Sequence, residues 1–244
     1  MTRNNTMNRL AVGLSAVLVA GAMLAGGCQA NIGKPTIAVN LPEKYNTPDG
    51  MTVDARNNII LSVPNINDPN YPAVMLNISP TDEISEIVKL PVHPETKRAI
   101  PLGVAVGSDG NLYISDSQGF VTPEHKSRIL RVVMKDGKAE KVEVVVTGIV
   151  FANGLVSHGD MIYVCDSKLD PKAYPIPSGV YGFKISELSG DKPYNVKPGL
   201  ADPHLAIHFT TKNKDWQVGA NGLGFDNAGY MVICNFGDAQ LIQG

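Results

Sequence analysis

Charge of either sign is scarce in this chain and close to balanced. Lysine and arginine number 21 against 23 aspartates and glutamates, for a net charge of −2, and no basic block occurs anywhere in the 244 residues. That distribution lacks the electrostatic footprint of a nucleic-acid binder. Cysteine is equally sparse: Cys28, Cys165 and Cys234 are too few to staple a disulfide scaffold. The five histidines share no metal-binding spacing; His204 and His208 stand four apart, but Pro203 and strand-like surroundings argue against a helical ligand pair. Gly-X-Ser-X-Gly, Walker and Cys-X-X-Cys elements are missing, which disfavours serine-hydrolase, nucleotide and haem or zinc chemistry. What is present is apolar material for a sizeable core, 43% of residues, together with 24 glycines and 17 prolines. That composition suits many short strands and turns rather than a helical bundle.

Residues 1–27 read as an export signal. Arg3 and Arg9 form a positive start, Leu10 to Ala25 is an uncharged apolar run, and Ala25-Gly26-Gly27 supplies small residues directly before Cys28. The run is shorter than the roughly 20 residues a spanning helix needs. A small-residue cleavage site ending in cysteine resembles the lipobox of bacterial lipoproteins. The resemblance implies that Cys28 is acylated and becomes the N-terminus, with residues 28–35 as a tether. Gln29 is not the aspartate that retains such proteins in the inner membrane. The expectation is a lipid-anchored protein of the bacterial cell envelope, on the periplasmic side or the surface, touching the membrane only through its lipid. An ordinary secretory signal with an incidental cysteine is the alternative.

The remaining chain repeats itself. The pattern reads PDGMTVDARNNIILSVPN from Pro48, PLGVAVGSDGNLYISDSQ from Pro101, ANGLVSHGDMIYVCDSK from Ala152 and ANGLGFDNAGYMVICNFG from Ala220. Its anchor glycines, Gly50, Gly103, Gly154 and Gly222, lie 53, 51 and 68 residues apart. Each copy reads as a turn glycine, an alternating apolar strand, a tight turn and a second apolar strand, that is, a β-hairpin. The turns fall at Asn57-Asn58, Asp109-Gly110, Gly159-Asp160 and Ala228-Gly229. Further strands follow: AVMLNIS with EISEIVKL, SRILRVVM with KVEVVVTG, and GVYGFKI before a Pro-rich stretch to His208-Phe209. Four strands per unit at about 50 residues is the period of an all-β propeller with four-stranded blades. An eight-stranded sandwich is the alternative, but it leaves the shared residues at the strand starts unexplained.

The propeller is assigned to 36–244. Thr36 to Leu41 is expected as a lone strand completing the last blade. The fourth blade breaks off at Ala239-Gln240-Leu241-Ile242, which would leave an open edge. The expectation is therefore a C-terminally truncated chain of about four blades, lacking about one and a half to two and a half more, with a complete four-bladed ring as the weaker option. The insert from Pro171 to Lys214 accounts for the long third spacing and is a candidate lid or partner surface.

PDGMTVDARNN and NGL…IYVCDS resemble the senescence-marker protein, gluconolactonase and luciferin-regenerating enzyme group of six-bladed propellers, from about Thr36 onward. Strictosidine-synthase-like, NHL-repeat and paraoxonase propellers share the rhythm. The resemblance implies lactone or ester hydrolysis with a divalent cation, usually calcium, in the central channel. In a propeller the residue before each anchor glycine starts the innermost strand, and here those residues are Asp49, Leu102, Asn153 and Asn221. Three oxygen-bearing side chains suit a hard cation, so Asp49, Asn153 and Asn221 are the candidate metal ligands. Asp116, Asp166 and Asn235 end the second strands at the same rim; Asp166 or Asp116 would assist as the proton-accepting carboxylate, or each, being followed by serine, would cap its strand end by bonding backbone amides.

Residue by residue the likeness is uneven. Asn153 and Asp166 match the family's channel asparagine and rim aspartate. Asp49 stands where the first blade of the family has a glutamate, Asn221 where an aspartate is expected, and Pro101-Leu102 departs from an N-D-G pattern. Two functions stay open: a calcium-dependent lactonase or esterase acting on a small lactone or ester, and a non-catalytic propeller that binds an envelope ligand or protein. Asp54 and Asp109 are read as turn residues. Cys165 and Cys234 are read as free thiols at buried small positions equivalent to Ser62 and Ser115.

Overall fold

The computed structural model describes residues 35–68, 70–210 and 218–236 and the backbone of 242–243. The leader, Cys28 and the segments 211–217 and 237–241 lie outside the described residues. Among the described residues no helix is long and apolar enough to cross a membrane.

Alternating apolar runs separated by turn residues produce four meandering sheets. Blade one holds β1 (Met51–Val53), β2 (Ile59–Val63), β3 (Val74–Ile78) and β4 (Ile84–Lys89) in sequence order. Blade two holds β5 (Pro101–Val106), β6 (Leu112–Asp116), β7 (Ser127–Lys135) and β8 (Lys138–Ile149). Blade three opens with β9 (Ala152–His158), β10 (Met161–Asp166) and β11 (Pro177–Lys184). Its chain then contributes β12 (Tyr194–Asn195), which pairs parallel to β8 of blade two, before β13 (Leu205–Thr210) returns to flank β11. Blade four is described as β14 (Ala220–Phe225), β15 (Met231–Asn235) and β16 (Ile242–Gln243). This is the expected all-β, blade-repeat architecture.

Each hairpin turn meets its backbone demand locally. Asp54 Oδ1 accepts the amides of Arg56 and Asn58, and Asp226 Oδ1 accepts those of Ala228 and Tyr230 at 2.8–2.9 Å. The chain then turns through Asn57 (φ 62°), Gly110 (φ 78°), Gly159 (φ 60°) and Gly229 (φ 87°), a region open to glycine and tolerated by asparagine.

Apolar clusters fill the spaces between neighbouring sheets. Met75 and Ile60 of blade one pack with Ile114, Leu130 and Val132 of blade two. Tyr113, Ile129 and Val146 of blade two meet Ile162, Val164 and Phe183 of blade three. Cys165 and Val180 meet Ala220 and Ile233 of blade four.

Three expectations need correction. Thr36 to Leu41 forms no strand, because it joins no hydrogen-bonded ladder; Val39 and Leu41 pack instead against the apolar cluster around Leu61 and Leu76. The insert after Pro171 is built into the scaffold as far as it is described: β12 extends blade two, Val196 is buried, and Asp202 accepts from the Tyr194 hydroxyl and the Lys197 amide. Cys234 is exposed rather than buried, although both described cysteines are free as expected.

Candidate functional site

The anchor glycines are not in turns; they belong to a bulge repeated in every blade. Pro101 pairs with Asp116 and Val104 with Ile114, so Leu102-Gly103 together oppose Ser115 alone. Asn153-Gly154 oppose Cys165 in the same way, and Asn221-Gly222 oppose Cys234. In blade one the Asp49 amide donates to the Ser62 carbonyl while the Ser62 amide donates to the Gly50 carbonyl. Two residues against one bends the strand and re-aims a side chain, a device common beside functional sites. The bulges thus give Asp49, Leu102, Asn153 and Asn221 one shared local geometry at the start of the inner strands.

The glycines themselves form the seam between blades. A Cβ on Gly50 would fall 2.9 Å from Gly103 Cα, one on Gly103 2.8 Å from the Gly154 carbonyl carbon, and one on Gly154 2.7 Å from Gly222 Cα. Neighbouring inner strands therefore approach backbone to backbone. Serines staple the same seam: Ser62 Oγ donates to the Leu102 carbonyl at 2.5 Å and Ser115 Oγ to that of Asn153.

Along this arc the four residues differ sharply. Asp49 is exposed, and partial desolvation still raises its carboxyl above the ordinary value. Asn153 is half-buried and its Nδ2 donates to Ser167 Oγ at 3.2 Å, while its Oδ1 accepts no hydrogen bond from the described residues. Asn221 is half-buried. Leu102 is 3% exposed and clusters with Ile100 and Phe151. The departure at Leu102 has a visible trace. In blade three Ser167 Oγ accepts from Asn153 and donates to the Ala220 carbonyl at 2.5 Å. The matching pair in blade two is Leu102 and Ser117, and Ser117 Oγ is the one buried side-chain polar atom without a partner among the described residues.

The two rim carboxylates end β6 and β10, and both are buried. Asp116 is fully buried; it accepts from Arg128 Nε at 2.6 Å, from the Ile100 amide at 2.7 Å and from Gln118 Nε2 at 2.9 Å. Asp166 is 1% exposed and accepts the amides of Phe151, Lys168 and Val150 at 2.9, 3.1 and 3.2 Å. Burial pushes its pKa up to about 6 against the opposing pull of those three amides. In both blades the carboxylate pins the backbone just before the bulge, at Ile100 and at Phe151. Buried and engaged in this way, both carboxylates brace the backbone that leads into the bulges.

One surface feature next to Asn153 gave no signal of spacing. The loop after β6 carries Phe120 and Val121, which are 59% and 46% exposed. Phe120 meets Phe151 edge to face with centroids 4.8 Å apart, and Lys168 Nζ lies 5.7 Å from the Phe151 ring. The histidines form no cluster with cysteine or carboxylate side chains that could hold a metal among the described residues. His208 lies on β13 and His204 precedes it, stacked on Phe183.

No protein-family model matches the chain, and no curated protein matches it. Solved structures do. A gluconolactonase from Xanthomonas campestris superposes with a TM-score of 0.50 at 15% identity, over 78% of this chain and 54% of that one. The likeness is one of fold. A candidate gluconolactonase gives a TM-score of 0.46 at 16% identity over 81% and 58% of the two chains. Streptogramin B lyase gives 0.40 at 14% identity over 81% and 66%. The chain thus spans little more than half the length of the gluconolactonase-like β-propellers it resembles.

Proposed function

We propose that the protein is a calcium-dependent lactone or ester hydrolase of the gluconolactonase type, tethered to the cell envelope through Cys28. The observation that carries this reading is the repeated bulge, which sets Asp49, Asn153 and Asn221 at equivalent positions on three blades. The donor set suits a hard cation in kind: one carboxylate and two amide oxygens, with the Asn153 amide already fixed by its bond to Ser167. When bound, calcium would polarise the substrate carbonyl. Asp49 offers the exposed carboxylate of the arc, either as a ligand to that cation or as the proton acceptor for an attacking water. Hydrolysis then joins the water oxygen to the acyl carbon, breaks the acyl C–O bond, and returns the proton to the leaving alkoxide. Asp116 and Asp166 contribute by holding the backbone before the bulges.

Calcium titration of the melting temperature tests the reading, since a ligand bound by the native state alone raises stability. A calcium-dependent rise that Asn153→Ala removes, together with chelator-sensitive hydrolysis of δ-lactones or p-nitrophenyl acetate, supports it. Chelator-resistant hydrolysis refutes the metal role. Leu102 on the arc and the structural use of both rim carboxylates favour the second reading, a binding propeller, which predicts no turnover at any calcium concentration. For the tether, Cys28→Ala or globomycin should leave an unprocessed precursor; unchanged processing would refute lipidation.

A further inference from the structure

We propose that the cleft at the turn end of the seam between blades one and two is a binding site for an aromatic carboxylate. The cleft is about 810 Å³, within the range that holds a drug-sized ligand. It is lined at the hairpin turns by Asp54 and Asn58 of blade one and by Gly110 and Gly137 of blade two. The arc lies at the opposite end of the same strands, since Asp49 precedes Asp54 by five residues, about 16 Å of extended chain. Binding in the cleft is therefore independent of any hydrolysis at the arc.

The repeat itself shows why this space is open. On the face that blade one turns to blade two, Ile60 pairs with Asn77 and Asn77 with Ser85. The equivalent row in blade two is Tyr113, Arg131 and Glu143, because Ile60 and Tyr113 each stand two residues before the seam serine. There the tyrosine is fully buried, and Arg131 spans from Glu143 to the Leu188 carbonyl, which closes the seam to blade three. Blade three fills the same level with Tyr163 against Phe225, itself stacked on His158. Blade one has short side chains where the other two have rings.

The groups left open in the cleft define its occupant. Ile87, Val106, Met134 and Ala139 are half-buried walls, so hydrocarbon remains available to a guest. Two sheets packed face to face leave a flat slot, which suits a planar ring. Asn77 and Ser85 also line it, and their side chains make no hydrogen bond among the described residues. Both carboxylates of the lining are already engaged: Asp54 by the Arg56 and Asn58 amides and the Asn58 side chain, Glu86 by the Tyr45 hydroxyl and Lys44. The two cations are not. Lys138 has no ion-pair partner among the described residues, and Arg56, its side chain 71% exposed, only approaches Asp54 at 4.0 Å. The Arg56 guanidinium reaches across the mouth to blade two, where a Cβ on Gly137 would fall 2.7 Å from its Nη2. A guanidinium and an ammonium at the rim of an apolar slot suit the two oxygens of a carboxylate carried on an aromatic body.

Isothermal titration of the full chain with cinnamate, cinnamyl alcohol and decanoate tests the site. Cinnamate should bind roughly fivefold or more tightly than its uncharged alcohol. Arg56→Met combined with Lys138→Met should erase that advantage and leave the affinity for the alcohol in place. Ser85→Phe, which returns a ring to the seam, should weaken cinnamate at least about tenfold by filling the slot, and Asn153→Ala should leave cinnamate binding unchanged. If Ser85→Phe fails to fold, the methionine pair still decides, because both positions are exposed. No cinnamate binding, equal affinity for acid and alcohol, or acid binding indifferent to the methionine pair or to a folded Ser85→Phe overturns the site. Weakening by Asn153→Ala would move the ligand to the arc, and tighter binding of decanoate would replace the ring with an alkyl chain; either result overturns the proposal.

Discussion

A matched pair of alanine substitutions at equivalent glycines tests the seam between blades. Gly154 and Gly222 occupy the same bulge position in blades three and four, and neither has a positive φ. A Cβ on Gly154 runs into the Asn221 carbonyl and lies 2.7 Å from Gly222 Cα, both backbone atoms that cannot rotate away. On Gly222 the same Cβ meets nothing within 4 Å. Overpacking against backbone should cost about 3 kcal/mol at Gly154. For a chain of this size that lowers Tm by roughly 6–12 °C. Gly222→Ala should be neutral or stabilising by up to about 1 kcal/mol, because it restricts only the unfolded chain. Differential scanning calorimetry of the two variants side by side reads the contrast. Equal melting temperatures for both would refute a tight seam between blades three and four. Equal large losses would show that the Gly222 face is covered as closely as the Gly154 face.

Two further predictions concern the buried carboxylates. Asp116→Ala should destabilise by about 3–5 kcal/mol, because it strands the Arg128 guanidinium, whose side chain is 6% exposed, without its counter-charge; a urea midpoint shifted by less than a quarter of that would show that water or Pro91 compensates. Asp166 holds its proton in the native state up to about pH 6, whereas an unfolded aspartate loses it near 4. Its contribution is therefore complete below about pH 4 and lost as pH rises through about 6, on the order of 3 kcal/mol in all. Asp166→Asn should flatten this part of the pH–stability curve, and an unchanged difference between wild type and variant from pH 4 to 7 would refute the assignment.

The blade repeat was readable because its devices are local. Turn residues at Asn57, Gly110, Gly159 and Gly229 and alternating apolar runs impose hairpins wherever they occur. The four dipeptides Asp49-Gly50 to Asn221-Gly222 were found from their recurrence, but their meaning was misread. A glycine after asparagine signals a turn in isolation, and only the ladder register shows two residues facing one. That Asp116 and Asp166 could cap strand ends was legible from their position; which groups they hold was not. Among their partners are the Ile100 and Phe151 amides, 16 and 15 residues earlier, brought close by the antiparallel return, and backbone amides carry no sequence mark. An edge-to-face contact joins Phe120 to Phe151 across blades, a pairing that no spacing announces. The serines at 62 and 115 looked merely small; the structure makes them donors to the next blade.

β12 has a consequence for how the protein can come apart. Residues between β11 and β13 belong by connectivity to blade three, yet they add a strand to blade two and bury Val196 in the cluster that both blades share. Blade three cannot open without stripping the outer edge of blade two, so these two sheets form one cooperative block. Amide exchange in β8 and β10 should accordingly follow a single opening event, slower than that of β14 and β15. The same strap fixes where the chain tolerates a break: a nick or a new terminus near Tyr194 would loosen two blades together, whereas the exposed turn at Asn57 would release only one.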